Sequence, residues 1–140
     1  LVTCCERDGL RLIAVTLRDR EDWADHAALY DYGFAAYERR CAVLRGEEYV
    51  LAPVRGGEKE SVPLAAGESF FYPLTAGEEL AVSARLPEDL TAPLAAGQTV
   101  GELTVSLNGI ELGRVPLVCA AAVAVERKPS LFERLFGRTG

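Results

Sequence analysis

The sequence predicts a mainly β chain with one long helix: a β-hairpin and helix of the kind that closes an α/β domain, followed by a small antiparallel β-sandwich. Three observations carry this. Two dipeptides, Asp8-Gly9 and Asn108-Gly109, each join a pair of β-rich runs. Residues 22–40, DWADHAALYDYGFAAYERR, place Trp23, Ala27, Tyr30, Phe34 and Tyr37 at alternating steps of four and three, which is helical spacing. From about residue 45 onward, short apolar runs alternate with glycine turns.

The first element is LVTCCERDGLRLIAVTL, residues 1–17, read as two strands around a turn whose glycine supplies a positive φ. Its second strand carries Leu12-Ile13-Ala14-Val15 without alternation, the pattern of a central strand covered on both faces. A single following helix covers one face only. The helix over 22–40 is expected to start at an Asp22 cap and to place Arg39 and Arg40 at its negative end. A stripe bearing four aromatic rings requires a large apolar partner, and a unit of about 40 residues is marginal on its own. Residues 1–42 are therefore expected to be the end of a larger α/β domain cut at Leu1.

Residues 43–126 are expected to form the sandwich. The phrase Pro-Leu-x-Ala-Gly recurs at 63–67, 73–77 and 93–97, followed by Glu68, Glu78 and Gln98. Those spacings suit strand-plus-turn units rather than a solenoid. In GQTVGELTVSLNGIELGRVPLV, residues 97–118, Leu103, Val105 and Leu107 share one face, and Ile110 and Leu112 return opposite them. Val115 and Leu117 fall on the other parity, which predicts a bulge near Gly113. Phe70, Phe71 and Tyr72 lie in one strand and are expected to be mostly core.

Composition excludes several functions. A net charge of −6, with Lys59 and Lys128 as the two lysines, offers no footing for nucleic acid. Cys4, Cys5, Cys41 and Cys119 lack the spacing of a metal site, and His26 is the sole imidazole, so no metal or cofactor is expected. The cysteines read as small buried hydrophobes and His26 as a solvated helix residue beside Asp22 and Asp25. Ser106-Leu107-Asn108 matches the Ser-x-Asn pattern of penicillin-interacting enzymes, but the hairpin turn already accounts for Asn108. No catalytic residue is assigned.

The tail, residues 127–140, contains SLFERLFGR. Leu131, Phe132, Leu135 and Phe136 form a one-sided stripe with Arg134 and Arg138 nearby, and residues 126–140 hold four positive and two negative groups. Two readings stand level: a short interfacial helix on an anionic membrane, or a terminal helix docked on the sandwich.

The sequence resembles the C-terminal half of the D-alanyl-D-alanine carboxypeptidases, the low-molecular-mass penicillin-binding proteins. The resemblance rests on Arg7-Asp8-Gly9 with Leu12-Ile13-Ala14-Val15, on Asp31-Tyr32-Gly33-Phe34, and on Gly97-Gln98 with Val100-Gly101-Glu102-Leu103. It implies that the hairpin and helix finish the penicillin-recognising domain, whose body precedes Leu1 and partners the aromatic stripe. It further implies an extracytoplasmic enzyme at the outer face of the bacterial cytoplasmic membrane. Such an enzyme forms an acyl-enzyme with the D-Ala-D-Ala end of a peptidoglycan stem peptide. None of the family's catalytic motifs carries over: no serine is followed three residues on by lysine, and Lys-Thr-Gly does not occur. This segment alone is therefore expected to be inactive. The rival expectation is a non-enzymatic surface-binding or adhesion module.

Overall fold

The computed structural model describes residues 1–127. Strands β1 (Val2–Arg7) and β2 (Leu10–Val15) form the expected antiparallel hairpin, with Arg7 opposite Leu10 and Val2 opposite Val15. Asp8 (φ 52°) and Gly9 (φ 75°) occupy the two left-handed positions of its turn. Helix α1 (Asp22–Ala36) follows. The helix stops four residues short of the expected Arg40. Tyr37 turns to extended backbone, and Glu38 enters strand β3 (Glu38–Val43), which pairs with β6 (Phe70–Leu74) through Glu38–Leu74 and Arg40–Tyr72. Main-chain pairing with a distant strand thus overrides local helical spacing. Arg39 and Arg40 consequently belong to β3, and the last helical turn holds no basic residue. Asp22 is not the cap either. Glu21 occupies the cap position with no side-chain hydrogen bond, and Asp22 is the first helical residue.

The remaining strands are β4 (Glu48–Arg55), β5 (Ser61–Ala66), β7 (Leu80–Arg85), β8 (Leu90–Thr91), β9 (Thr99–Leu107) and β10 (Ile110–Cys119). They form one six-stranded sheet in the order β7-β9-β10-β5-β4-β8. Its pairs are antiparallel except the short β4–β8 pair, which is parallel. The core sits on one face of this sheet: Val62, Leu64, Leu103, Val105, Val115 and Leu117 are buried together, and Val43 of β3 and Phe70 of β6 close it from the other side. β3 begins ahead of the boundary at residues 42–43 that the sequence suggested, so the sandwich takes in residues 38–42.

Asn108 (φ 51°) and Gly109 (φ 80°) turn β9 into β10 as expected, and the register slips between Glu111 and Gly113. The extra residue places Gly113, rather than Leu112, opposite Val105. Glycine suits that position, because a Cβ would stand 2.6 Å from Cε2 of Phe70 and would displace the ring. After the slip, Val115, Leu117 and Cys119 all point into the core.

The repeated Pro-Leu-x-Ala-Gly phrase has a structural meaning. At 73–77 the backbone N–H of Thr75 donates to Oε2 of Glu78 (2.7 Å), and at 93–97 that of Ala95 donates to Oε1 of Gln98 (3.0 Å). In both, the leucine is buried and the glycine has positive φ. The first copy diverges: Gly67 instead lies under Pro116, to whose carbonyl its N–H donates (2.8 Å).

Candidate functional site

The hairpin and helix meet through a polar cluster, which corrects the expectations for both His26 and the aromatic stripe. The buried line of α1 runs through His26 and Gly33, one position before Ala27 and Phe34 of the stripe. His26 is 2% exposed. Its Nδ1 lies 2.6 Å from the Thr3 hydroxyl on β1, and its Nε2 lies 3.0 Å from the Thr16 hydroxyl beyond β2. The Thr16 hydroxyl donates to the Asp22 carboxylate, so its oxygen is left to accept from Nε2–H. In the neutral ring Nδ1 then accepts from Thr3, whose oxygen also meets the Tyr30 hydroxyl at 2.5 Å. Each buried polar atom in this chain of groups has a partner, and among the described residues no buried side-chain nitrogen or oxygen lacks one. Sequence reasoning missed this because an imidazole beside Asp22 and Asp25 on a helix carries the pattern of a solvated face. The usable signal was Thr3 and Thr16, hydroxyls on the hairpin ends that the helix must cross.

Above this cluster the packing is close. Gly33 lets the helix approach β2, where a Cβ would stand 2.6 Å from Cδ1 of Leu12. Tyr30 stacks on Phe34 with centroids 6.3 Å apart, and the Arg7 guanidinium lies 4.5 Å over Phe34. The stripe's ends are free of cover: Trp23 is 75% exposed and Tyr37 is also exposed. On the hairpin, Leu10 and Ala14 are buried beneath the helix, whereas Val2, Ile13 and Val15 on the opposite face are exposed, Ile13 by 68%. The run Leu12–Val15 thus has one covered face and one bare apolar face.

Acidic groups crowd the start of α1. The backbone N–H of Glu21 donates to the Asp19 carboxylate (3.0 Å) and, together with Asp25, holds its pKa below the ordinary range. Asp25, sharing a hydrogen bond with Asp19 and repelled by it, titrates above the ordinary range.

The other expected residues separate. Of the cysteines only Cys119 is buried, its thiol pushed up by desolvation; Cys4 and Cys41 are exposed and Cys5 is half-buried, with all four free. Phe70 is core-packed, but Phe71 is 38% exposed and lies beneath the Arg39 guanidinium, with 3.5 Å from Cζ to the ring centroid. Ser106 and Asn108 sit at the β9–β10 turn, as the hairpin required. Among the described residues no group of three His, Cys, Asp or Glu is arranged to hold a metal, and no helix is long and apolar enough to cross a membrane. Leu131, Phe132, Arg134, Leu135, Phe136 and Arg138 of the expected membrane contact lie outside the described residues.

What the described residues present is therefore a closed sandwich joined to a hairpin and helix with a bare apolar face. The sandwich decides the family. The model of the penicillin-binding protein 5 C-terminal domain matches residues 37–125, from the end of the helix through the last strand. The chain belongs to the penicillin-binding protein 5 C-terminal domain family. Solved structures extend the likeness to the hairpin and helix. Penicillin-binding protein 5 from Haemophilus influenzae is 27% identical, with a TM-score of 0.69 over 89% of this chain and 38% of that one. The D-alanyl-D-alanine carboxypeptidase DacD from Francisella tularensis (21% identity, TM-score 0.58) matches over 90% of this chain and 33% of its own length. A peptidoglycan synthesis regulatory factor, PBP3, from Streptococcus pneumoniae (23% identity, TM-score 0.65) matches over 87% and 38%. At their lower identity the last two attest the fold alone. The chain spans well under half the length of these relatives. No curated protein matches it.

Within the family, the match begins where α1 gives way to β3. The C-terminal domain thus coincides with the sandwich, and the hairpin and helix stand before it.

Proposed function

We propose that the chain is the C-terminal part of a serine-type D-Ala-D-Ala carboxypeptidase that trims terminal D-alanine from peptidoglycan stem peptides during cell-wall biogenesis. The hairpin and helix complete the catalytic domain. The sandwich is a stalk that holds that domain at a set height over the outer face of the bacterial cytoplasmic membrane, with the tail at 127–140 as its contact. The observation that carries this reading is the bare apolar face of β1 and β2 beside a family-matched sandwich that is closed on itself. Exposed Val2, Ile13 and Val15 on one face of the hairpin are the surface a larger domain covers.

The division of labour follows from chemistry. The parent enzyme requires a serine activated by a neighbouring lysine to attack the D-Ala-D-Ala carbonyl and an oxyanion site to hold the developing charge. The hairpin and helix bring none of these groups and serve as scaffold. The non-enzymatic module is the weaker reading, because recognition by ring clusters would need exposed aromatic groups on the sandwich. Phe70 is core-packed and Tyr72 half-buried, and Phe71, 38% exposed, already carries Arg39 on its ring, so the three form no cluster of open rings.

A fluorescent penicillin tests the proposal. Residues 1–140 alone should take up no covalent label, whereas a polypeptide extended upstream through its own coding sequence should be labelled once, at the serine of a Ser-x-x-Lys. Labelling of the 140-residue chain, or an extended polypeptide that stays unlabelled, overturns it.

A further inference from the structure

The hairpin–helix unit and the sandwich are linked through the single residue Tyr37, between Ala36 and Glu38. The elements of the two units share little direct packing, and a cleft of about 980 Å³ opens between them, walled by Arg7, Asp8 and Phe34 on one side and by Arg39, Thr75 and Glu79 on the other. Two units joined in this way swing against one another unless something spans the gap.

We propose that Arg39 is the clasp that fixes the angle of the hairpin–helix unit on the sandwich. Its guanidinium is held between two surfaces, one from each unit. On the sandwich side, Cζ stands 3.5 Å from the centroid of the Phe71 ring on β6. On the other, the side chain runs along the β1–β2 turn at Gly9. A Cβ at that glycine would stand 3.3 Å from Nη1 and 3.4 Å from Cδ of Arg39. A planar guanidinium can lie flat on a ring with one face and against backbone with the other. Gly9 serves twice: its φ of +75° makes the turn, and its lack of a side chain admits the arginine. The neighbouring Arg40 is directed elsewhere, to Glu38 at 2.8 Å. Arg7 over Phe34 braces the hairpin on the helix, within the same unit, and so does not substitute for the clasp.

The clasp stands independently of the carboxypeptidase reading. Where that reading holds, it also sets the angle between catalytic domain and stalk.

Residual dipolar couplings of backbone amides in the 140-residue chain measure the angle directly. In the unaltered protein, one alignment tensor should fit residues 2–36 and 38–125 together. Arg39→Ala should leave each unit's internal couplings intact but require two tensors, with the smaller unit's tensor reduced by about half or more. Phe71→Leu, which removes the ring and keeps apolar bulk, should do the same and carries the test if Arg39→Ala loses the sandwich's amide pattern. Arg55→Ala, which removes the ion pair with Asp89 away from the cleft, should keep one tensor. Two tensors in the unaltered protein, or one tensor in both the Arg39 and Phe71 variants, overturns the clasp. Penicillin labelling plays no part in this measurement, so failure here leaves the proposed function standing.

Discussion

At the scale of single residues, the positions that matter most are those where a side chain is refused or fully satisfied. Gly101 on β9 faces backbone: a Cβ there would stand 2.5 Å from the carbonyl oxygen of Arg85 and 3.0 Å from Cβ of Leu86. Neither neighbour can rotate away. Gly101→Ala should therefore cost about 1–3 kcal/mol in urea denaturation. Gly33→Ala should cost less, because the obstruction is the movable tip of Leu12 and alanine favours the helix. Thiol reactivity sorts the cysteines by the same logic of access. Cys4 and Cys41 should be alkylated readily by iodoacetamide at mildly alkaline pH, while Cys119, buried and with its thiol pushed up, should react only after unfolding. Peptide mapping of the alkylated sites checks this. Much at this scale was legible beforehand: Asp8-Gly9 and Asn108-Gly109 take the left-handed backbone their turns demand, and the parity change after Leu112 marked the bulge at Gly113. His26 was not legible. Its burial depends on two hydroxyls, 23 residues before it and 10 residues before it, meeting opposite ring nitrogens.

At the scale of elements, two similar turns differ at two positions, Thr75 against Ala95 and Glu78 against Gln98, and should respond differently to acid. The Glu78 carboxylate is held below the ordinary carboxylate range, first by the backbone N–H of Thr75 and then by that residue's side chain. A folded pKa below the unfolded value, about 4.3 for glutamate, means that this turn's contribution is complete above that value and is lost as pH falls through the lowered one. The Thr75 amide resonance should accordingly shift in acid with Glu78's titration. The Ala95 amide, bonded to the uncharged Gln98, should stay put over the same range. Equal movement of both amides, or of neither, would show that the turn is not held by this carboxylate. The end of α1 illustrates what element-level pattern reading lacks. Tyr37 continues the helical spacing, yet Glu38 finds its main-chain partner at Leu74, 36 residues later, and no local feature announces that pairing. Strand signals were stronger where both partners were close in sequence, as in β9 and β10.

At the scale of the whole molecule, the chain divides into a sandwich that satisfies itself and a hairpin–helix unit that does not. The sandwich buries Leu64, Leu103 and Leu117 at or below 1% exposure, and the family match covers it from end to end. Helix α1 covers one face of the hairpin and leaves Val2, Ile13 and Val15 on the other, with Trp23 projecting from the helix's first turn. The unalternating run at Leu12–Val15 signalled this before any fold was known, since two-sided apolar strands imply two covering layers. The identity of the second layer was not in these residues, and the resemblance to carboxypeptidases supplied the expectation for it. Side-chain access at this face tests that expectation most directly. Hydroxyl-radical footprinting should modify Ile13, Val15 and Trp23 strongly in residues 1–140. In the same polypeptide extended upstream through its coding sequence, the account predicts at least a several-fold loss of modification at Ile13 and Val15, with the sandwich residues unchanged. Equal modification of those two side chains in both polypeptides would contradict it.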